Sequence, residues 1–375
     1  MSGPLAGIRI LEIGHMLAGP YSGLLLADLG ADVIKIEPRE GDIARKVSPN
    51  FIGPHNEYFA SLNRNKRSVV IDLASKEGQA QFHALARSAR ALITNLRPSA
   101  IKKLGLTYEG LRSVNPGLVC VALTGFGIDS PYADRPAYDY VIQAMTGVMQ
   151  LTGEPDSPPT KTGYSAVDNS AGIMGALGLV AKLVEGKGGQ VDVAMYDVML
   201  SQLNYIAAGW LNSGARPRRY AQSAHPYVVP AQVFPTGEGW LTLFITHDDF
   251  WRKFSLECGR PQWLADERFA TMEARRANRE AVVAAIAEVL QTSDARDWTA
   301  RLAPLGVVAA EVSTLENALA SEQVRARRMV VDIPAGDATM RAIGNPLKIA
   351  GYAETLQPPP LLGEHNELVT EIGPS

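Results

Sequence analysis

"IRILEIGHMLAGPYSGLLLADLGADVIKIEP" (Ile8–Pro38) decides the fold. Its opening, IRILEIG, is an apolar strand pattern, and its close, ADVIKIEP, is a second one. Between them GPYSGLLLADLG reads as a helix, with Pro20 near its first turn and Gly30 at its end. Strand, helix and strand within about thirty residues make a βαβ unit, so the two strands run parallel. The alternation recurs: strand 69–73, helix 76–87, strand 91–95, helical turns 101–114, strand 118–123. The expected fold is α/β, a doubly wound, Rossmann-like large domain. A dinucleotide fingerprint would need G-x-G-x-x-G at the first turn. In GHMLAGPYSG the glycines Gly14, Gly19 and Gly23 fall at other intervals, which argues against NAD or FAD.

Further along, a long helix runs from Asp168 to about Glu185, followed by the strand QVDVAM and a helix from Tyr196 to Trp210. The texture then changes. ARPRRYAQSAHP (Ala215–Pro226) is polar and irregular, as a linker would be. YVVPAQVFPTGEGWLTLFI reads as a hairpin turning at TGEG, and Ala- and Arg-rich helical segments follow it to about Ala303. MVVDIP and ATMRAIGNPLKIAG form a late antiparallel pair before a proline-bearing extension. The expected organisation is a large domain over 1–225, a smaller α+β domain over 226–321, and a return to the large domain over 322–375.

The 375 residues, 46% hydrophobic and 20% charged, are those of an ordinary soluble globular protein. A formal net charge of −3 gives no general attraction to nucleic acid or to an anionic membrane. Cys120 and Cys258, the only cysteines, have no CxxC partner and read as buried thiols in a reducing compartment. No charged leader followed by an apolar stretch opens the chain, and the apolar segment 171–184 is glycine-rich and short for a span. A cytoplasmic enzyme with no membrane or nucleic-acid partner is expected. The histidines His225, His247 and His365 lack metal-ligand spacing, so no metal is expected.

Six stretches in order along nearly the whole chain carry a resemblance. They are Pro4–Pro38, LNRNKRSVVIDL, GLVCVALTGFGIDSPYADRPAYDYVIQAMTGVM, the segment around Asp168, GGQVDVAMYDVML and LLGEHNELVTEIG. Together they resemble the family III CoA-transferases, a group that includes formyl-CoA:oxalate and crotonobetainyl-CoA transferases and the related alpha-methylacyl-CoA racemases. The resemblance implies a two-domain subunit in an interlocked homodimer. It implies coenzyme A and acyl-CoA as substrates together with a carboxylic acid, and no tightly bound cofactor.

In TKTGYSAVDNSAGIMGALGLVAKLVEGKGGQ (Thr160–Gln190), Asp168 is the only acid between Ala166 and Val184. On the residues alone it reads first as a helix cap. The resemblance places it on the family's nucleophilic aspartate, and the two readings are compatible. A carboxylate beside free helix N–H groups is expected to be held ionised. It would attack the thioester to give a mixed anhydride, then an aspartyl-CoA thioester, as in covalent catalysis generally. Gly172, Gly175 and Gly178 recur every third residue, which suits close helix packing.

CoA needs cations for its phosphates and backbone partners for its pantetheine arm, and strand-end loops are where doubly wound sheets place ligands. By the resemblance, His15, Met16, Leu17 and Ala18 match the family's pantetheine and active-site loop. Arg39 matches a CoA-contacting arginine, Asn95 and Leu96 follow the fourth strand, and Lys103 stands where the oxalate enzyme has a phosphate-contacting arginine. Tyr138 matches a tyrosine beside the acyl group. Arg64, Lys66 and Arg67 form a basic run of the kind usually found on a solvated face. Arg135, Arg216 and Arg218 are candidates to hold a second carboxylate, as on a short dicarboxylate such as succinate. His225 and His247 are kept as substrate-side donors from the small domain. Two other functions compete. A racemase would carry a histidine before the aspartate in RPAYDY, where this chain has Tyr138, a phenol ordinarily too weak a base at neutral pH. A non-catalytic CoA-binding subunit would have no use for Asp168.

Overall fold

The protein, described over residues 3–370 by a computed structural model, divides into two units. The first comprises Met1–Gly147, Lys161–Ala208 and Glu322–Ser375, and the second Val148–Thr160 and Gly209–Ser321.

The first unit is built on six strands: β1 (Arg9–Ile13), β2 (Asp32–Glu37), β3 (Lys66–Val70), β4 (Ala91–Thr94), β5 (Val119–Thr124) and β6 (Gly189–Ala194). Their order across the sheet is β3-β2-β1-β4-β5-β6, and every neighbouring pair is parallel. The chain reverses its direction of travel across the sheet between β1 and β4. Parallel strands with both faces covered read as apolar runs. Ile10, Leu11, Val33, Ile34, Leu92, Ile93 and Val121 are accordingly buried. Helix α1 (Ala18–Ala27) joins β1 to β2, and α2 (Glu57–Asn63) begins where the Asn56 side chain accepts the Tyr58 N–H at 3.1 Å. Helix α3 (Lys76–Ser88) starts at the Ser75 cap, and α4 (Pro98–Lys103) carries its proline in the first turn.

The long helix Ala166–Glu185 ends at Gly186, whose φ of 76° closes the last turn. By length and hydropathy it would suit a membrane span, but its glycine face is packed against α1 and the sheet. A Cβ at Gly172 would stand 2.9 Å from the Ala18 carbonyl oxygen, and those at Gly175 and Gly178 would stand 2.8 Å from Leu123 and Val191. The every-third-residue spacing therefore serves backbone approach.

Gly14, Gly19 and Gly23 make room for side chains of this chain itself. A Cβ at Gly14 or Gly19 would run into the Asn95 carboxamide, and one at Gly23 into the Glu12 carboxylate. The basic run is likewise absorbed internally rather than solvated. Arg64 is buried against Asp28, Lys66 is buried 2.8 Å from Glu12, and Arg67 pairs with Asp32. A side chain's neighbours across the sheet are invisible in a run of like charges, hence the mistaken expectation.

The second unit has a three-stranded antiparallel sheet: β7 (Ala231–Pro235), β8 (Trp240–Phe244) and β9 (Val308–Glu311), with β8 in the middle. The hairpin turns at Thr236–Gly239, where the Thr236 N–H meets the Gly239 carbonyl. Trp251, Phe254, Trp263, Phe269 and Trp298 fill its core. This unit starts at Gly209 and takes in Val148–Thr160, earlier than the expected boundary at 226. Arg219, inside the stretch read as a linker, ties it to the segment 148–160. Its guanidinium donates to the carbonyl oxygens of Met149, Gln150 and Glu154. The return at Glu322 brings back the antiparallel pair Val330–Ala335 and Ala338–Ile343. Residues 363–366 then dock on β3. The Val70 N–H donates to Asn366 and the Ser68 N–H to His365 Nδ1. The last residues of that motif, 371–373, lie outside the described residues.

Removing one member of a buried ion pair strands the other charge, at about 3–5 kcal/mol, whereas a partly exposed pair is worth about 1 kcal/mol or less. Urea unfolding should therefore show Lys66→Ala to be severely destabilised and Arg67→Ala close to the parent chain.

Candidate active site

Two adjoining hollows open at the C-terminal ends of the strands, where doubly wound sheets place ligands. The larger, about 810 Å³, is lined by the loop after β1 (Gly14, His15, Met16), the loop after β2 (Pro38–Ile43), residues 71–74 after β3, and Leu96, Leu104 and Tyr138. The smaller, about 220 Å³, holds Asp168 with His15, Met16, Leu17, Ala18, Tyr58, Asn95, Leu96, Arg97, Arg135 and Tyr138 among its walls. His15, Met16, Leu96 and Tyr138 belong to both.

The shared wall stands at the reversal between β1 and β4. There the Asn95 side chain grips the backbone of His15 from both sides. It accepts the His15 N–H at 3.0 Å and donates to the His15 carbonyl at 2.9 Å. Asn95 thus spends its carboxamide on the loop.

Asp168 sits in the first turn of the long helix, reached from Ser165 at the N-cap position. It does not cap that helix, contrary to expectation. The cap comes from Asp139, which is buried and accepts the Val167 N–H at 2.8 Å while its other oxygen accepts from Gln143 at 2.6 Å. Asp168 is half-buried and has no hydrogen-bond donor among the described residues to offset its partial removal from water. Burial, and secondarily the Asp139 carboxylate, push its pKa up to about 7. Both influences act against the ionised form expected from the sequence, and the Val167 N–H of the first turn goes to Asp139 rather than to Asp168.

Seven of the other expected residues meet at these hollows directly: His15, Met16, Leu17, Ala18, Asn95, Leu96 and Tyr138. Arg39 lines the larger one. Lys103, exposed at the end of α4, lines neither. His225 and His247 belong to the second unit, and His365 accepts a backbone bond at the edge of the sheet. Tyr58 and Arg97 were not foreseen. Arg97 directly follows the fourth strand's loop in NLRPSA, so the strand-end rule alone would have found it. Tyr58 has no such signal, since only the turn of α2 brings it here. Burial, then the charges of Asp168 and Asp42, push its phenol up to about 12, so it is a donor rather than a base.

The model of CoA-transferase family III matches residues 5–366. The chain belongs to this family. It is 37% identical to the succinate–glutarate CoA-transferase of Agrobacterium fabrum, covering 98% of this chain and 94% of that one. It is 34% identical to the acetyl-CoA:oxalate CoA-transferase of Acetobacter aceti, over 95% and 92% of the two chains. A crystal structure of a CAIB/BAIF family protein from Brucella suis superposes with a TM-score of 0.87, at 35% identity over 99% of each chain. The protein is a family III CoA-transferase enzyme, and CoA thioesters are the substrates of such enzymes. The two hollows are thus the candidate site in a member of this family.

The raised pKa has a stability consequence. The folded state keeps the Asp168 proton up to about pH 7, while an unperturbed aspartate loses it near 3.8. Between those values the folded state binds more protons than the unfolded one, so stability contributed by this site falls as pH rises and is level above them. Asp168→Asn should match the parent Tm near pH 4 and exceed it by a margin that grows to pH 7 and then stays constant. A margin independent of pH would show that Asp168 is an ordinary carboxylate.

Proposed function

We propose that the enzyme moves CoA from an acyl-CoA donor to a carboxylic acid through covalent intermediates on Asp168. The observation that carries this reading is the position of Asp168, the only carboxylate in the smaller hollow among the described residues, next to a cavity of CoA size. An Asp168 oxygen attacks the thioester carbon, the C–S bond breaks, and CoA leaves as thiolate. The thiolate then attacks the Asp168 side-chain carbon of the mixed anhydride, releasing the first acid and leaving an aspartyl-CoA thioester. The acceptor carboxylate repeats both steps in reverse. A carboxylate with a pKa of about 7 is a stronger nucleophile than an ordinary one, and about half of it is ionised at neutral pH. Partial burial limits hydrolysis of the intermediates.

His15, Met16, Leu17 and Ala18 line the thioester, Leu96 and Asn95 the pantetheine, and Tyr138 the acyl group. Arg39 meets the phosphates, with Lys103 farther out. Arg97 and Arg135 are the cations that share the hollow with Asp168. They suit the second carboxylate of a dicarboxylate, and succinate is our candidate, in keeping with the substrates in the relatives' names. We read the sheet as Rossmann-like, with no tightly bound cofactor, and place the enzyme in the cytoplasm, where the buried free thiols Cys120 and Cys258 stay reduced. The racemase reading is disfavoured because Tyr138 stands where that branch carries a histidine, and a phenol is ordinarily too weak a base at neutral pH.

The enzyme is proposed to be an interlocked homodimer. Ile173, Met174, Leu177 and Val184 leave an apolar stripe exposed along the long helix of the single chain, which a second copy would cover. Leu177→Glu should shift the mass in analytical ultracentrifugation from twice the chain mass to once. A parent chain that sediments as a monomer at micromolar concentration would refute the dimer.

Incubation with succinyl-CoA and hydroxylamine should leave a hydroxamate at Asp168, and Asp168→Ala should abolish both the adduct and CoA transfer to glutarate. In parallel, a 2-methylacyl-CoA in deuterium oxide should gain no deuterium at the alpha carbon. Rapid alpha-deuteration with Asp168 unmodified would falsify transfer in favour of racemisation.

A further inference from the structure

Met16 is one of few non-glycine residues here with a left-handed backbone, at φ 62°. An L side chain resists that conformation, so surrounding bonds must hold it. Its N–H donates to Asp42 Oδ1 at 3.2 Å. The same oxygen takes the Ala44 N–H at 2.9 Å, and Asp42 Oδ2 lies 2.9 Å from Lys35 Nζ. Lys35 also donates to the Gly14 carbonyl at 3.0 Å and pairs with Glu12 at 2.9 Å. The Asp42 N–H is itself held by Glu37 at 2.9 Å. Three successive residues are thus gripped from three places: Gly14 by Lys35, His15 by Asn95, Met16 by Asp42. Lys35, Glu12 and Asp42 have no side-chain exposure, so water cannot substitute for any of them. Leu17 follows with no side-chain cap for α1, and Leu17 and Ala18 face the hollow that holds Asp168.

We propose that Asp42 is a positioning residue for the transfer reaction, keeping Met16 left-handed so that the 15–18 wall holds its place beside Asp168. The proposal rests on the reading of Asp168 as the nucleophile. Asp42 touches no reacting atom; it acts through the Met16 amide.

Two variants test this. Asp42→Ala removes the acceptor. Asp42→Glu keeps the charge facing Lys35 and displaces the acceptor by one methylene, so it serves if the alanine variant does not fold. Hydrogen exchange read by mass spectrometry should rise selectively over 14–18 in both, with β5 and β6 unchanged. With succinyl-CoA and glutarate, kcat should fall roughly ten- to a hundredfold, while the KM for succinyl-CoA moves much less. Adding Met16→Gly, which accepts a left-handed backbone without strain, should recover roughly fivefold of the lost kcat. Unchanged exchange over 14–18 in both variants, or a rise spread evenly over the whole first unit, overturns the proposal. A parent enzyme with no CoA transfer would instead count against the Asp168 reading, and the hydrogen-exchange result would still decide the role of Asp42.

Discussion

Two positive and two negative side chains, from β1, β2, β3 and the loop after β2, lie out of reach of water. Lys35 stands between Glu12 and Asp42, and Lys66 pairs with the other oxygen of Glu12, with contacts of 2.8–2.9 Å. Burial alone would discharge each of them. For Glu12 and Lys35 the opposite charges outweigh burial, so the Glu12 carboxyl is held below its usual range and the Lys35 ammonium above its own. The arrangement is acceptable only with every charge partnered, so it imposes strict register on the strands that contribute it. Glu12 and Lys35 stand opposite each other in the β1–β2 pairing, and Ser68, opposite Lys35 on β3, extends the network by donating to Glu37 at 2.6 Å. Stability, strand register and the shape of the first strand-end loop all pass through this cluster.

The site inherits its rigidity from there. At the reversal between β1 and β4 two loops part and leave space, and Asn95 and Asp42 hold the His15–Met16 corner at its edge. Gly14 and Gly19 lack side chains because the Asn95 carboxamide needs the room. On the other side, the long helix approaches α1 closely enough for Gly172 to meet the Ala18 carbonyl, which brings Asp168 to the same wall. Its basicity follows from a division of labour between two aspartates. Asp139 takes the Val167 N–H and Asp168 accepts no hydrogen bond among the described residues, so its partial burial goes uncompensated. A perturbation of this kind supports the role proposed for Asp168.

Legibility in the sequence followed range. The βαβ alternation, the helix that ends at Gly186, the TGEG hairpin and the late antiparallel pair are local patterns, set by periodicity and turn residues, and each stands within a few residues of its expected place. The helical turns expected over 101–114 are in fact Pro98–Lys103 and Tyr108–Leu111, and the helix from Tyr196 is two, Met195–Gln202 and Asn204–Ser213. Arg64, Lys66 and Arg67 failed differently: a basic run carries no sign of which acids lie across the sheet. The stretch Ala215–Pro226 reads as a linker for the same reason, since the carbonyl partners of its Arg219 lie some seventy positions earlier in the chain.

What the sequence by itself determined is the parallel α/β architecture, the family, and Asp168 as the residue to examine, because strand–helix periodicity, ordered motifs and a lone acid in an apolar helix are all readable along the chain. What only the tertiary structure decided is the state of that acid and the company it keeps. That Asp139 caps the helix, that Tyr58 and Arg97 join the hollow, and that Asp42 holds Met16 all depend on approaches between distant segments. Desolvation and hydrogen-bond competition are properties of a packed neighbourhood, and no local pattern of residues encodes them.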